Sequence, residues 1–288
     1  MTDDAASEEI LAAHAAGTVS AGMALTWLLL LHRDLEAVRR VLAPGTTLAA
    51  ELDRRWDGAV RAARVLAAVD ATGSLDACRR LFDAAVGVSG PAAVALYSLG
   101  DEALLAEATA EVVGLLEALG ITALGRHLLD LGCGIGRLEA ALAPKVAAIT
   151  GIDLSPAMIR AAETRCAGLA NVRLLECSGH DLGMFPDGSF DAVIAVDSFP
   201  YLNQAGGEAL ALAHVREAAR VLRAGGDLLV LNLSYRGDLA RDWADAQAFA
   251  LAAGFDLRRA GTADLRTWDG RTFHWRKMAQ PAQDRSRP

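Results

Sequence analysis

The sequence predicts an α/β protein in which an all-helical segment precedes a mainly parallel β-sheet. Before residue 122, apolar residues recur every three or four positions, which is the spacing of amphipathic helices. After Gly125, short apolar runs alternate with helical periods, a pattern typical of βαβ units. Because the 288 residues exceed the roughly 100–200 residues of one domain, we predict a helical domain at 1–122, a second domain at 123–278 and a disordered tail at 279–288.

The helical domain is expected to contain four to six helices and no strand. Ser74 should cap one helix, and Pro91 should lie in the first turn of another. A last helix over 101–119 should end at Gly120, since glycine readily adopts the left-handed conformation. Breaks between helices are expected at Pro44-Gly45, at Thr72-Gly73-Ser74 and at Ser89-Gly90-Pro91.

The second domain is expected to alternate strands with helices and to end in an antiparallel pair. A turn at Asp269-Gly270 would join the last two strands. The predicted strands are 127–131, 147–153, 172–176, 191–196, 227–233, 255–260 and 272–277, and the predicted helices are 137–143, 156–167, 208–222 and 244–253.

The charge distribution argues against a nucleic-acid substrate. The net charge is −8, and residues 1–122 carry all of it, because residues 123–288 hold 19 acidic and 19 basic side chains. Neither part contains a basic run of the kind that neutralises phosphates. A charge of this size also keeps an ordinary protein soluble. It therefore argues against a nucleic-acid partner without identifying another partner.

Cysteine usage and the amino terminus predict a cytoplasmic protein without a bound metal. The four cysteines form no CxxC pair and share no metal-ligand spacing with the six histidines. Four of the first ten residues are acidic, which is the wrong charge for a secretory signal. The apolar stretch 19–31 is shorter than the roughly 20 residues that cross a bilayer, so we expect no membrane association.

A glycine-rich turn follows the first predicted strand of the second domain. Residues 128–136 read LLDLGCGIG, an apolar strand that runs into a turn and opens a helix. Glycine suits such a turn because a side chain would block a ligand that lies against the backbone. Asp153 ends the next strand, 17 positions after Gly136, where a carboxylate can accept hydrogen bonds from both hydroxyls of a ribose.

The spacing of these glycines distinguishes two nucleoside ligands. A dinucleotide site has the pattern GxGxxG, which would place a glycine at position 137, but that residue is Arg137. Glycines at 132, 134 and 136 instead fit a ligand without a pyrophosphate. We therefore favour S-adenosylmethionine (SAM) over a dinucleotide and over a purely structural turn.

Four stretches of the chain resemble the class I SAM-dependent methyltransferases, in the order and at the separations of that family. They cover about 125–235 closely and 236–278 loosely. The stretches are LLDLGCGIGR, GIDLSPAMI, GHDLGMFPDGSFDAVIAVDSFPYL and AARVLRAGGDLLVLNLSY. The resemblance implies a Rossmann-like fold with a seven-stranded sheet and SAM across the carboxyl ends of the first strands.

The resemblance also implies a set of cofactor-binding residues. It places Asp130 near the amino group of SAM, and Gly132, Gly134 and Gly136 against its methionine part and ribose. Asp153 becomes the acceptor for the ribose hydroxyls.

The same resemblance implies how adenine would be bound. Leu154 and Met158 would pack on the ring, while Asp181 and the backbone N–H of Leu182 would bind the exocyclic amine and a ring nitrogen. Simple alternatives are core packing for the first two residues and, for Asp181, a turn-forming carboxylate.

Candidates for the acceptor side follow the fourth and fifth strands of the second domain. Methyl transfer is an in-line displacement that needs alignment, exclusion of water and sometimes a base. Side chains at the carboxyl ends of these strands are Asp197, Tyr201, Tyr235 and Arg236. Core packing is the alternative for Tyr201, and a surface ion pair is the alternative for Arg236. The segment DSFPY at 197–201 departs from the Asn/Asp-Pro-Pro-Tyr of the family's amine and nucleobase enzymes, so a planar amine is not implied.

The sequence thus predicts methyl transfer from SAM to an oxygen or nitrogen of a small molecule, with Asp197, Tyr201 and Arg236 as catalytic candidates. Ligand sites favour domain interfaces, and methyl transfer benefits from exclusion of water. We therefore favour a lid over a dimer interface or a scaffold as the role of the helical domain. Two alternatives stay open: a non-catalytic SAM-binding module whose helices bind a protein, and a methyltransferase that acts on a macromolecule.

Overall fold

The computed structural model of the protein describes residues 3–67 and 73–278. Thr72, in one predicted break, and the predicted tail at 279–288 lie outside these residues. In the described part, eight α-helices precede the first strand: α1 (Asp3–Ala15), α2 (Ala21–His32), α3 (Leu35–Val41), α4 (Thr47–Arg54), α5 (Trp56–Ala67), α6 (Leu75–Val88), α7 (Gly90–Val94) and α8 (Glu102–Ala118).

The helix boundaries before residue 122 follow from local capping chemistry. The Ser74 hydroxyl accepts a hydrogen bond from the Ala77 N–H at the start of α6, and the Ser89 hydroxyl caps α7, where Pro91 lies in the first turn. Gly120 adopts the left-handed conformation just after α8. The prediction of four to six helices was too low because α3, α4 and α7 have only seven, eight and five residues, too few for a periodic pattern.

Seven strands and four helices follow. They are β1 (His127–Leu131), α9 (Arg137–Leu142), β2 (Ala148–Asp153), α10 (Pro156–Arg165), β3 (Val172–Glu176), β4 (Phe190–Val196), α11 (Phe199–Val221), β5 (Leu222–Leu231), α12 (Leu239–Ala253), β6 (Phe255–Thr262) and β7 (Thr272–Lys277).

The strands form one sheet in the order β3-β2-β1-β4-β5-β7-β6. The first five pair in parallel, whereas β7 is antiparallel to both of its neighbours. This confirms the predicted seven-stranded, mainly parallel sheet and its terminal antiparallel pair. Strands β2 and β3 are added on one side of β1, whereas β4 and β5 are added on its other side. In such sheets, ligands bind outside the carboxyl ends of the strands at this point of reversal, between β1 and β4.

Alternate strand residues serve two apolar cores on opposite faces of the sheet. Leu128 and Ile194 join a cluster that includes residues of α8, α9 and α10, while Leu129 and Val193 join one that includes residues of α11 and α12. The first cluster also contains Met23 of α2 and residues of α5 to α7, so the amino-terminal helices share a core with the sheet. A third cluster lies mainly within α2 to α5.

Two boundaries near the carboxyl ends of the strands differ from the prediction. β5 ends at Leu231 rather than 233, because Asn232 takes a left-handed conformation with φ of 72°. The helix expected from residue 208 begins at Phe199 and is interrupted by a kink at Gly207. The extra segment between Phe199 and the kink directly follows β4.

Candidate active site

The carboxyl ends of β1, β2, β4 and β5 open onto a cavity of about 910 Å³. One side is formed by these strand ends and the turns that follow them, and the other by residues of α2, α5, α6, α7 and the loop between β6 and β7. The volume lies at the upper end of the ~300–1,000 Å³ typical of ligand sites. The predicted site residues that line it are Asp130, Gly132, Gly134, Asp153, Leu154, Met158, Asp197, Tyr201 and Tyr235.

The glycine positions in the turn after β1 have no room for side chains. Gly132 and Gly134 have φ of 79° and 54°, values that favour glycine. A Cβ on Gly132 would lie 2.5 Å from the Cβ of Ser198, and one on Gly134 would lie 2.6 Å from Cγ1 of Val94 in α7. Gly136, which precedes α9, is packed against Ala162 of α10 and does not line the cavity in the described structure.

Asp153 at the end of β2 is joined to the glycine-rich turn. Its Oδ2 accepts the Gly134 N–H at 2.9 Å, and its Oδ1 accepts the Ser155 N–H at 2.8 Å. Burial raises the pKa of this carboxyl to about 6, although both backbone N–H groups act to lower it. At neutral pH the side chain is therefore an anion with lone pairs left for further donors.

Asp130 of β1 carries an oxygen that has no partner. The residue is 1% exposed and lines the cavity, yet its Oδ1 receives no hydrogen bond within residues 3–67 and 73–278. Such a group is costly unless a ligand supplies the donor. The position predicted to meet the amino group of SAM thus holds an acceptor without a donor.

The two adenine assignments differ in their placement. Leu154 and Met158 line the cavity, as expected. Asp181 lies outside the lining, and its Oδ1 accepts the Gly183 N–H at 2.8 Å within its own turn. The Leu182 N–H donates to Glu217 of α11 at 3.2 Å. The adenine role of Asp181 and Leu182 therefore stays a prediction that these contacts do not favour.

Asp197 lies at the centre of the acceptor side. It follows β4 in a left-handed conformation with φ of 60°, and its Oδ1 accepts the Tyr235 hydroxyl at 2.8 Å and the Asn232 amide at 3.0 Å. Burial raises the pKa of Asp197 to about 7, against the lowering effect of these two donors. A carboxyl group that titrates near neutrality inside a cavity is suited to accept a proton.

Tyr201 completes an aromatic wall beside Asp197. Its ring contacts Tyr235 edge-on, with centroids 5.6 Å apart, and Phe82 of α6 in the same manner at 4.9 Å. Tyr235 is 46% exposed and lines the cavity. Tyr201 thus links the segment after β4 to α6 and to Tyr235.

Arg236 is not brought to the cavity. Its guanidinium forms ion pairs with Asp242 and Asp245 of α12, and the residue is absent from the cavity lining in the described structure. A surface ion pair was the alternative interpretation from the sequence. The catalytic role of Arg236 stays a prediction without a favourable position.

Several site residues were missed by sequence reasoning. Arg137, noted only because it is not glycine, is buried at 7% exposure, lines the cavity and donates to the Thr109 hydroxyl of α8 at 3.0 Å. Asn232 and Asp269 also line the cavity. A buried arginine directly after a glycine-rich turn is a signal that could have been read; the other two depend on loop geometry.

The amino-terminal helices contact the cofactor side directly. Asp83 of α6 accepts hydrogen bonds from the Ser155 hydroxyl at 2.6 Å and the Ala157 N–H at 3.2 Å. Val94 of α7 rests on Gly134. The helices therefore cover the residues beside Asp153 and the glycine-rich turn.

The loop between β6 and β7 lies on the same side of the cavity as the amino-terminal helices. Glu111 of α8 accepts the backbone N–H groups of Arg266 and Thr267 at 2.7 and 2.8 Å. Trp268 stacks on Tyr97 with centroids 5.5 Å apart, and the Ser20 hydroxyl donates to the Thr267 carbonyl. This loop is thus fixed to α8 and to the segments before α2 and after α7.

Residues 3–67 and 73–278 contain no helix of the length and apolarity needed to span a membrane. The same residues contain no group of three or more His, Cys, Asp or Glu side chains arranged to hold a metal ion.

Comparisons with known proteins identify the strand-rich part of the chain. Residues 129–230 match the family model described as a methyltransferase domain. A demethylmenaquinone methyltransferase of Tropheryma whipplei is 39% identical over 117 residues, 41% of this chain and 45% of that protein. A ubiquinone biosynthesis O-methyltransferase of Xanthomonas campestris is 32% identical over 111 residues, 38% of this chain and 44% of that protein. The chain thus spans a little under half the length of these curated relatives.

A solved structure extends the likeness in fold. Phosphoethanolamine N-methyltransferase 1 of Haemonchus contortus, in complex with phosphoethanolamine and S-adenosylhomocysteine, superposes with a TM-score of 0.55 at 15% identity. The match covers 73% of this chain and 50% of that one. The family model thus identifies residues 129–230 as a methyltransferase domain, and the solved structure, at 15% identity, shows a likeness in fold alone.

Proposed function

We propose that the protein transfers the methyl group of SAM to an oxygen or nitrogen atom of a small molecule bound in the cavity. The observation that supports this best is that a single cavity of about 910 Å³ is lined both by the cofactor-side residues and by Asp197. A ligand at Asp197 would lie beside the cofactor, under the cover of the amino-terminal helices.

The residues present fit the family's cofactor. Asp130 offers an unpaired buried oxygen to an ammonium group, and Asp153 offers an anion to a ribose. Leu154 and Met158 supply apolar contact for adenine. When bound, SAM supplies a methyl group already activated by its sulfonium.

Asp197 is the base of the proposed reaction. Both of its donors, Tyr235 and Asn232, bind Oδ1, so Oδ2 is the oxygen that can accept a proton from the acceptor. The two donors fix the carboxylate, and its near-neutral pKa lets it take a proton at physiological pH. Tyr201 and Tyr235 would hold an apolar or aromatic part of the acceptor against their rings.

A small molecule fits this cavity better than a macromolecule. The cavity wall includes Trp27, Tyr97 and Trp268, and α6 and α7 cover the cofactor side. The net charge of −8 disfavours a nucleic acid, which needs phosphate neutralisation. We infer that residues 1–122 act as a lid that also forms part of the acceptor pocket.

A labelled-methyl assay tests this proposal. The purified protein would be incubated with methyl-labelled SAM and a library of small metabolites containing hydroxyl or amino groups, with tRNA, rRNA and DNA in parallel. Labelling of a small molecule at a rate that is nearly constant between about 50 and 200 mM salt supports the proposal. Robust labelling of a nucleic acid would overturn the small-molecule acceptor. SAM binding without turnover on any acceptor would favour the non-catalytic module.

A further inference from the structure

Two buried carboxyl groups lie side by side behind the cofactor side of the cavity. Glu139 of α9 is 0% exposed and Asp130 of β1 is 1% exposed, and the two side chains interact directly. Both oxygens of Glu139 and Oδ1 of Asp130 receive no N–H or O–H donor within the described part of the chain. Three buried carboxyl oxygens are therefore without a conventional partner.

The backbone of β2 limits where Glu139 can go. A Cβ at Gly151 would lie 2.5 Å from Oε1 of Glu139, so the carboxyl group rests directly on this glycine. Asp130 lines the cavity, whereas Glu139 does not. Of the pair, only Asp130 can reach a ligand.

Charging both of these adjacent buried carboxyl groups is unfavourable. Burial raises the pKa of both groups above their ordinary values, and the charge of Asp130 raises that of Glu139 further. The cation Arg137 opposes this effect for both carboxyl groups. The charged groups that act on the pair are Arg137 of α9 and Asp153 of β2. The thiols of Cys133 in the glycine-rich turn and Cys166 just after α10 also face Glu139, whose charge raises their pKa. A proton shared between the two carboxyl groups satisfies the geometry.

We propose that Glu139 is a positioning residue of the cofactor site, which keeps the proton and donates a hydrogen bond to Asp130. Asp130 then stays a carboxylate, fixed on one side by the Glu139 O–H and open on the other to the ammonium group of the ligand. The proposal rests on the cofactor site and is independent of any acceptor. It extends the site to a residue that no ligand touches.

A pair of cofactor fragments tests this in the unmodified protein. S-adenosylhomocysteine carries the amino group that Asp130 would bind, and 5′-methylthioadenosine shares the adenosine and thioether but lacks that group. Calorimetry between pH 6 and 8 should show the affinity for S-adenosylhomocysteine falling relative to that for 5′-methylthioadenosine as the pH is lowered, approaching about tenfold per unit once Asp130 is protonated. Taking the ratio cancels the titration of Asp153, which acts on both ligands.

Substitutions of Glu139 separate positioning from space filling. Glu139→Leu removes the donor, so Asp130 should protonate at a higher pH, and S-adenosylhomocysteine should bind at least tenfold more weakly at pH 7.5 with 5′-methylthioadenosine unchanged. Glu139→Gln keeps an N–H donor and should restore the affinity to within about threefold. A flat affinity ratio in the unmodified protein would overturn the proposal, and so would a leucine variant with an unchanged pH profile. If the leucine variant does not fold, Glu139→Gln decides, since an affinity for S-adenosylhomocysteine more than about threefold below that of the unmodified protein would contradict a role of Glu139 as hydrogen-bond donor.

Discussion

The carboxylate of Asp83 in α6 accepts the hydroxyl hydrogen of Ser155 at 2.6 Å, so a helix of the amino-terminal segment is tied to the turn that follows Asp153. Ser155 also caps α10 by accepting the Met158 N–H at 3.1 Å. The Ser155 side chain therefore both starts α10, beside Asp153, and holds α6 over this part of the cavity. We expect a ligand between Asp153 and α6 to leave faster when this contact is broken.

Asp83→Ala should speed the release of the cofactor product. Loss of a charge-assisted hydrogen bond of ~1.5–3 kcal/mol lowers the cost of lifting α6, and the dissociation rate of S-adenosylhomocysteine should rise about tenfold in a stopped-flow displacement experiment. Asp76→Ala on the same helix, where the side chain is 79% exposed, is the control. Equal rates in the two variants would contradict the role of α6 as a cover.

Asp153→Ala should weaken the binding of SAM by at least tenfold. The change removes the anion expected to accept two ribose hydroxyls, each such bond contributing ~1.5–3 kcal/mol. It also frees the N–H of Gly134, so thermal unfolding must be measured alongside calorimetry. Unchanged affinity in a folded variant would rule out the ribose contact.

The pH dependence of turnover should report Asp197. Because the base must be ionised, kcat/KM for an identified acceptor should rise with pH through an apparent pKa of about 7. Tyr235→Phe removes a donor that lowers this pKa, so the rising limb should move to higher pH. Asp197→Asn should reduce kcat/KM by ~10²–10⁴ with little change in SAM affinity. A variant with full activity would show that the reaction uses no base here.

Glu111 should contribute stability that depends on pH. Burial acts to raise its pKa, but hydrogen bonds from Thr267 and Arg266 outweigh this and hold it below the ordinary value. A lowered carboxyl pKa contributes stability above the unfolded-state value near 4.5, and this is lost as the pH falls through the folded-state pKa.

The matching experiment compares two glutamates of α8. Glu111→Gln should lower Tm by roughly 3–12 °C at pH 7, since bonds to the charge contribute ~1.5–3 kcal/mol and each kcal/mol corresponds to ~2–4 °C. The difference from the unmodified protein should shrink in acid. Glu117→Gln breaks only the exposed pair with Lys145 and should change Tm by far less. Similar shifts in both variants would contradict the proposed anchoring of the loop after β6.

The sheet could be predicted from the sequence because its signals are local. β1, β3 and β7 have the predicted bounds, since each is a short apolar or β-branched run between turn residues. The glycine-rich turn and Asp153 were predictable for the same reason, as their spacing along the chain reflects one βαβ unit.

What could not be predicted depends on contacts between distant segments. Asp83 and Ser155 are 72 positions apart, and nothing in either neighbourhood indicates the pair. Asn232 and Asp197 meet only because two adjacent strands both end in a left-handed residue. Arg236 looked equivalent to Tyr235 in the sequence, but the carboxylates of α12 bind it elsewhere.

The contacts of the loop after β6 have a consequence for how the protein folds during synthesis. The Ser20 hydroxyl meets the Thr267 carbonyl across 247 positions of chain, and Tyr97 stacks on Trp268. During synthesis, the first helices leave the ribosome long before residue 267 has been translated. Their inner apolar surface is therefore not yet covered by the loop after β6. Contacts of such long range form late because closing so long a loop is entropically costly. A nascent chain stalled before Trp268 should therefore expose this surface to chaperones. The cavity wall formed by the loop between β6 and β7 is completed only after these last two strands have emerged.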